Sequence, residues 1–77
     1  MASLQIWNND NRLIVKDQSD DLLTLAALFD SYKSLHNISE AHNLYTLKNN
    51  DGSINTISNT LIDNDSGDTF GHYILRG

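Results

Sequence analysis

Thr69-Phe70-Gly71-His72-Tyr73-Ile74-Leu75-Arg76, followed by Gly77, is the stretch on which the fold turns. Successive side chains of a strand point to opposite faces, so Phe70, His72 and Ile74 share one side and Gly71, Tyr73 and Leu75 the other. Apolar groups on both sides are the pattern of a strand with a neighbour on each flank, not of a half-solvated edge. The late strand therefore belongs inside a sheet, and earlier segments must supply its neighbours.

Upstream, Asn59 to Asp68 is polar apart from Leu61-Ile62, too poor in apolar residues for a helix. Before it, Leu44-Tyr45-Thr46-Leu47 and Ile54-Asn55-Thr56-Ile57 flank Asn49-Asn50-Asp51-Gly52, whose Asp-Gly pair is a strong short-range hairpin signal. Ile38 to Asn43 reads as a connector. Further back, Leu22, Leu25, Ala26, Phe29, Tyr32 and His36 recur at three- and four-residue steps and define one helical face, which Leu23 and Leu28 widen. Ser19 is the expected N-cap with Asp20 and Asp21 in the first turn, and Asn37 the expected left-handed stop. At the start, Leu4-Gln5-Ile6-Trp7 and Leu13-Ile14-Val15 flank Asn8-Asn9-Asp10-Asn11, residues that tolerate positive φ; this is a first hairpin.

The order is hairpin, helix, strand pair, irregular segment and central closing strand, over one domain, residues 1–77. It predicts an α+β fold of β-grasp type, with a mixed four- to five-stranded sheet and one helix packed across it.

Composition narrows the chemistry. A 77-residue chain buries only roughly 60% of its unfolded surface, which argues against a deep active-site cleft. Without cysteine there is no disulfide, thiolate metal site or thiol nucleophile. Ten acidic against five basic residues give a net charge of −5, repelling nucleic acid and favouring basic protein surfaces. No apolar run approaches the length of a membrane span and no secretory pattern opens the chain, so no membrane partner and a cytoplasmic location are expected.

The chain resembles ubiquitin and its bacterial relatives along most of its length. Gln5-Ile6-Trp7 is similar to the opening strand, and Leu13-Ile14-Val15 with Ser19-Asp20-Asp21-Leu22 to the second strand and helix entry. Asp51-Gly52-Ser53 with Leu61-Ile62-Asp63 resembles the turn and short segment before the last strand, and His72 to Gly77 the closing strand and tail. Leu44-Tyr45-Thr46-Leu47-Lys48 with Asp51-Gly52 points to the small ubiquitin-like proteins of bacterial conjugation operons. The resemblance implies a protein modifier, not an enzyme, with no cofactor. Its partners would be an activating enzyme, a conjugating enzyme and a target protein. Gly77 would donate its carboxylate to an amine, Arg76 would be read by the activating enzyme, and Ile74 and Leu75 would be the extended backbone it grips.

Other features carry weaker chemistry. Asp63-Asn64-Asp65-Ser66-Gly67-Asp68 spaces oxygen ligands as calcium loops do at their start, but Ile74 stands where the closing glutamate belongs, so a solvated turn is the better reading. His36, His42 and His72 match no metal-ligand spacing, and no metal is expected. Trp7 alternates with Leu4 and Ile6, which turns it away from the helix. With Tyr45 or Tyr73 it would form an aromatic patch of the kind that anchors protein interfaces. The alternative function is a small acidic binding protein, either a non-conjugated ubiquitin-like interaction module or an inhibitor of phage type that mimics charge through Asp20, Asp21, Asp63, Asp65 and Asp68. The oligomeric state stays open. Whether Gly77 hangs free or ends inside the sheet separates the modifier from the binding protein.

Overall fold

Alternation and turn chemistry resolve into six strands and one helix in the computed structural model, which describes residues 1–77: β1 (Ala2–Asn8), β2 (Leu13–Ser19), α1 (Leu22–His36), β3 (Ile38–Glu40), β4 (Tyr45–Lys48), β5 (Ile54–Asp63) and β6 (Thr69–Arg76). The β1–β2 turn is made as its asparagines suggest. Asn11 takes φ 60°, and the Asn8 side-chain oxygen accepts the amides of Asp10 at 2.9 Å and Arg12 at 3.0 Å. Gly52 at φ 86° closes β4 onto β5, a conformation that suits glycine.

Asp21, not Ser19, is the N-cap of α1. Its backbone is extended (φ −119°, ψ 117°) and its carboxylate accepts the Leu23 amide at 3.0 Å and the Thr24 hydroxyl at 3.2 Å. Ser19 ends β2 instead and accepts the Asp21 amide at 3.1 Å, so the first helical turn contains no acid. Asn37 stops the helix in the left-handed region at φ 53°.

The sheet runs β2-β1-β6-β5-β3, with β4 pairing on β5 beside β3. As the two-sided apolar pattern requires, β6 lies in the interior, between β1 and β5. Two expectations are corrected. There are six strands rather than four or five, and every ladder is antiparallel, so the sheet is not mixed. The reason lies in Asn59 to Asp68. The first half of the segment read as irregular continues β5 to ten residues, and a tight turn at Asp63–Asp68, with Gly67 at φ 77°, sends β6 straight back beside it. Ile38 to Glu40 likewise pairs with Leu61 to Asp63 instead of forming a plain connector.

One face of this sheet is sealed by α1. Ala2, Leu4 and Ile6 of β1, Tyr73 and Leu75 of β6, Leu61 of β5 and Ile38 of β3 bury against Leu25 and Phe29 of the helix, with Leu22 and Tyr32 partly buried beside them. Leu23 and Leu28 do not widen that stripe; they face solvent, Leu23 at 77% exposure, and His36 is exposed too. No helix is long and apolar enough to cross a membrane.

Candidate binding surface on the open sheet face

The register of the ladders fixes which side chains stand on the face that α1 does not cover. Because Leu4 and Ile6 are buried under the helix, Ser3, Gln5 and Trp7 point the other way. Trp7 lies opposite His72 in β6, which lies opposite Thr60 in β5. In the next row Lys16, Gln5, Ile74, Ser58 and Tyr45 follow one another across five strands. Below them Arg76 sits between Ser3 and Thr56, and Leu47 is opposite Thr56.

Trp7 and His72 stack with ring centroids 4.9 Å apart and planes within 7°. Gly71 makes that stack possible: a Cβ there would run into the Trp7 carbonyl, holding β6 off β1 at this level. Tyr45 is 55% exposed. A shallow hollow of about 240 Å³ opens where β3 and β4 diverge along β5, walled in part by Asn43, Thr60, His72 and Ile74. Asn43 donates to the Thr60 hydroxyl at its rim, at 3.3 Å.

The predicted aromatic trio is therefore split. Trp7 and Tyr45 share the open face but do not form a patch, because β6 and β5 lie between β1 and β4. Tyr73 does not join them: it is 2% exposed on the helix side, its ring 4.3 Å from that of Phe29. The alternation that turns His72 outward turns Tyr73 in.

Tyr73 belongs to a polar cluster under the helix that no sequence motif announced. Its hydroxyl donates to Glu40, the chain's sole glutamate, which also accepts Lys33 Nζ at 3.0 Å and the Asn59 side-chain amide at 3.4 Å. Asn59, buried in mid-sheet, gives its amide to the Ala41 carbonyl as well, at 2.9 Å. Lys33 lies 4.5 Å above the Phe29 ring and 3.3 Å from Asp30. Burial by itself would raise the Glu40 carboxyl, but the hydrogen bonds from Tyr73 and Lys33, the Lys33 charge and Asn59 together outweigh it and hold the group below its ordinary range. For Lys33 burial works against the ammonium, yet Glu40 and Asp30 hold it above its ordinary value. Burial first and then the bond to Glu40 push Tyr73 well above the usual phenol value. Every fully buried polar atom of this cluster has a partner, so its hydrogen bonds tie β3, β5 and β6 to the helix.

The tail residues sit in the sheet. Ile74, Leu75 and Arg76 pair with β1 on one flank and β5 on the other, and the Gly77 amide donates to the Asn55 carbonyl at 3.0 Å. Leu75 is buried, and a Cβ at Gly77 would meet the Ile54 carbonyl.

The acids expected to act together are divided. Asp20 and Asp21 precede the first turn of α1, whereas Asp65 accepts the side-chain amide of Asn37 at the helix's other end. A 15-residue helix separates those ends by roughly 22 Å. Asp63 to Asp68 form a self-bonded turn, with Asp63 accepting the Asp65 amide at 2.9 Å and Ser66 accepting the Asp68 amide at 3.2 Å. No group of three or more His, Cys, Asp or Glu is placed to hold a metal ion. Comparison with protein-family models, with curated proteins and with solved structures finds no match.

Proposed function

We propose that this chain is a non-enzymatic protein-binding module that works through the uncovered sheet face. The observation that carries the reading is the Trp7–His72 stack, with Ile74, Arg76 and Tyr45 on the same side of an antiparallel sheet whose other side is sealed. Trp, Tyr and Arg are the residues in which interface hot spots are enriched, and here rigid strands hold them at low entropic cost.

The order of elements supports placing the fold beside the β-grasp arrangement, as a non-conjugated relative. The modifier reading has less support. An activating enzyme would have to grip Ile74 to Arg76 as free extended backbone, and that backbone is engaged on both flanks. The all-antiparallel sheet also departs from the mixed sheet that the ubiquitin resemblance implies. Charge mimicry by one acidic strip is disfavoured by the separation of Asp20 and Asp21 from Asp63 to Asp68.

A photo-crosslinking amino acid placed at Tyr45 tests the reading in cells that make the protein, with one at Leu23 on the exposed side of α1 as the control. Discrete adducts from position 45 that vanish when Trp7 is also replaced by Ala are expected. Equal yields from both positions would overturn the assignment of the surface.

A further inference from the structure

Resting on the reading of the open face as a binding surface, we propose that its partner is an acidic protein segment, whose carboxylates meet Lys16 and Arg76 while its apolar groups pack on Trp7, Ile74 and Tyr45. The net charge of −5 suggests the reverse, a basic partner, but net charge says nothing about how the charges are sorted. Three acids lie in strands, and each is on the helix side: Asp17 opposite Leu4, Glu40 opposite Leu61 and Asp63 opposite Ile38, all buried partners. The remaining acids belong to the helix, its cap and the turns. The basic residues in strands are Lys16 beside Gln5 and Arg76 beside Ser3, both on the body of the open face, and Lys48 at the bulge that ends β4. Lys16 and Arg76 are exposed.

This sorting selects among occupants. A basic segment would desolvate like charges against Lys16 and Arg76 with no carboxylate between them. A second copy laid face to face would bring four such cations together, equally uncompensated. Edge pairing of two copies through β2 is opposed by Lys16 in mid-strand, by the inward charge of Asp17 and by the bulge between Ile6 and Trp7, all devices that blunt an edge. A nucleic acid strand is anionic, but its charge runs along its whole length, and the acidic turns at both ends of the sheet would repel it beyond the two cations. A short acidic and apolar segment meets the cations and stops.

Trp7 is the only tryptophan, so its emission reports directly on the face. The protein is titrated at about 0.1 M salt, where the distant acids are screened, with two short peptides that share the same Leu and Phe positions and carry either Glu or Lys between them, and with a short oligothymidylate. Amide shifts of Gln5, His72 and Ile74 locate the binding. The Glu peptide is expected to bind roughly tenfold or more tightly than the Lys peptide, the scale of two exposed ion pairs gained against two like-charge contacts. The paired variant Lys16→Glu, Arg76→Glu is expected to reverse that order; both sites are exposed, and unchanged far-UV circular dichroism checks its fold. Binding of the Lys peptide as tightly as the Glu peptide, on these same amides, overturns the partner chemistry and leaves the binding surface standing. Tighter binding of the oligothymidylate overturns the choice of a protein partner. If no amide of this face moves with any probe, the surface assignment falls as well.

Discussion

The two faces of this sheet are made from alternate residues of the same strands, yet they carry different kinds of chemistry. On the helix side the core residues are buried, and Lys33 of α1 is bonded to Glu40 at the rim of that face, which in turn accepts from Tyr73 and Asn59. On the other side Trp7, His72, Ile74 and Tyr45 stand among hydroxyls and amides with two cations and nothing over them. In a chain this small, a side chain committed to the core cannot also present itself to a partner, so under the proposed binding role strand parity would separate stability from recognition. Substitutions on the two faces should therefore fail in different assays.

The largest effect belongs under the helix. Phe29→Ala removes a buried ring that touches Tyr73 and supports Lys33, and should cost roughly 3–5 kcal/mol in urea or guanidinium unfolding. A domain of this size has total stability on the order of 5–15 kcal/mol, so partial unfolding at room temperature is expected. A loss below about 1 kcal/mol would mean that α1 does not seal the sheet.

Next in size is the polar cluster, where pH separates its members. Glu40 titrates below its ordinary range in the folded chain, so its contribution is present above the unfolded carboxylate value, about 4.3, and is lost as pH falls through the lower folded value. Tyr73 and Lys33 titrate above their ordinary values. Their contributions are complete below about 10 and are lost as pH rises beyond it. Stability should thus fall on both the acid and the alkaline side. Glu40→Gln should flatten the acid limb and Tyr73→Phe the alkaline one, each at a neutral-pH cost of about 1–3 kcal/mol for groups left without their partner. An acid limb unchanged in Glu40→Gln would show that other carboxylates govern acid unfolding.

Sequence pattern carried the sheet better than the cluster. The two-faced alternation of Phe70 to Leu75 located the interior strand, and the Asn-rich and Asp-Gly turns located the hairpins, because those signals are local. The strand count was misread because one long strand, Ile54–Asp63, changes partner midway: its first half pairs with β4 and its second with β3. The polar composition of Asn59 to Asp68 hides that continuity. Strand parity turned Trp7 outward, but it was not applied to Tyr45 and Tyr73, of which only Tyr45 is exposed. Glu40 was not legible, since its partner Tyr73 lies 33 residues away and a lone glutamate after a helix has no spacing to flag it. The exposure of Leu23 and Leu28 was hidden for a related reason, since helical periodicity gives a direction but not the width of the sheet available to cover it.

On the open face the expected pattern inverts, with small changes in stability and large ones in binding. Trp7→Ala gives up the stack on His72, worth about 0.5–1.5 kcal/mol beyond area, while its effect on partner affinity should exceed about 2 kcal/mol if it is the anchor.

Tyr45→Ser is the finest test, because the Tyr45 side chain is more than half exposed and its ladder pairing with Ser58 is made by the backbone. Its removal should leave the unfolding midpoint within about 0.5 kcal/mol of the parent. It stands two strands from Ile74, across Ser58, so a partner that covers the Trp7–His72 stack and Arg76 must reach it only if the footprint spans the sheet. A measurable loss of affinity in Tyr45→Ser, with stability intact, would set that footprint at five strands. No loss, beside a large one in Trp7→Ala, would confine recognition to β2, β1 and β6.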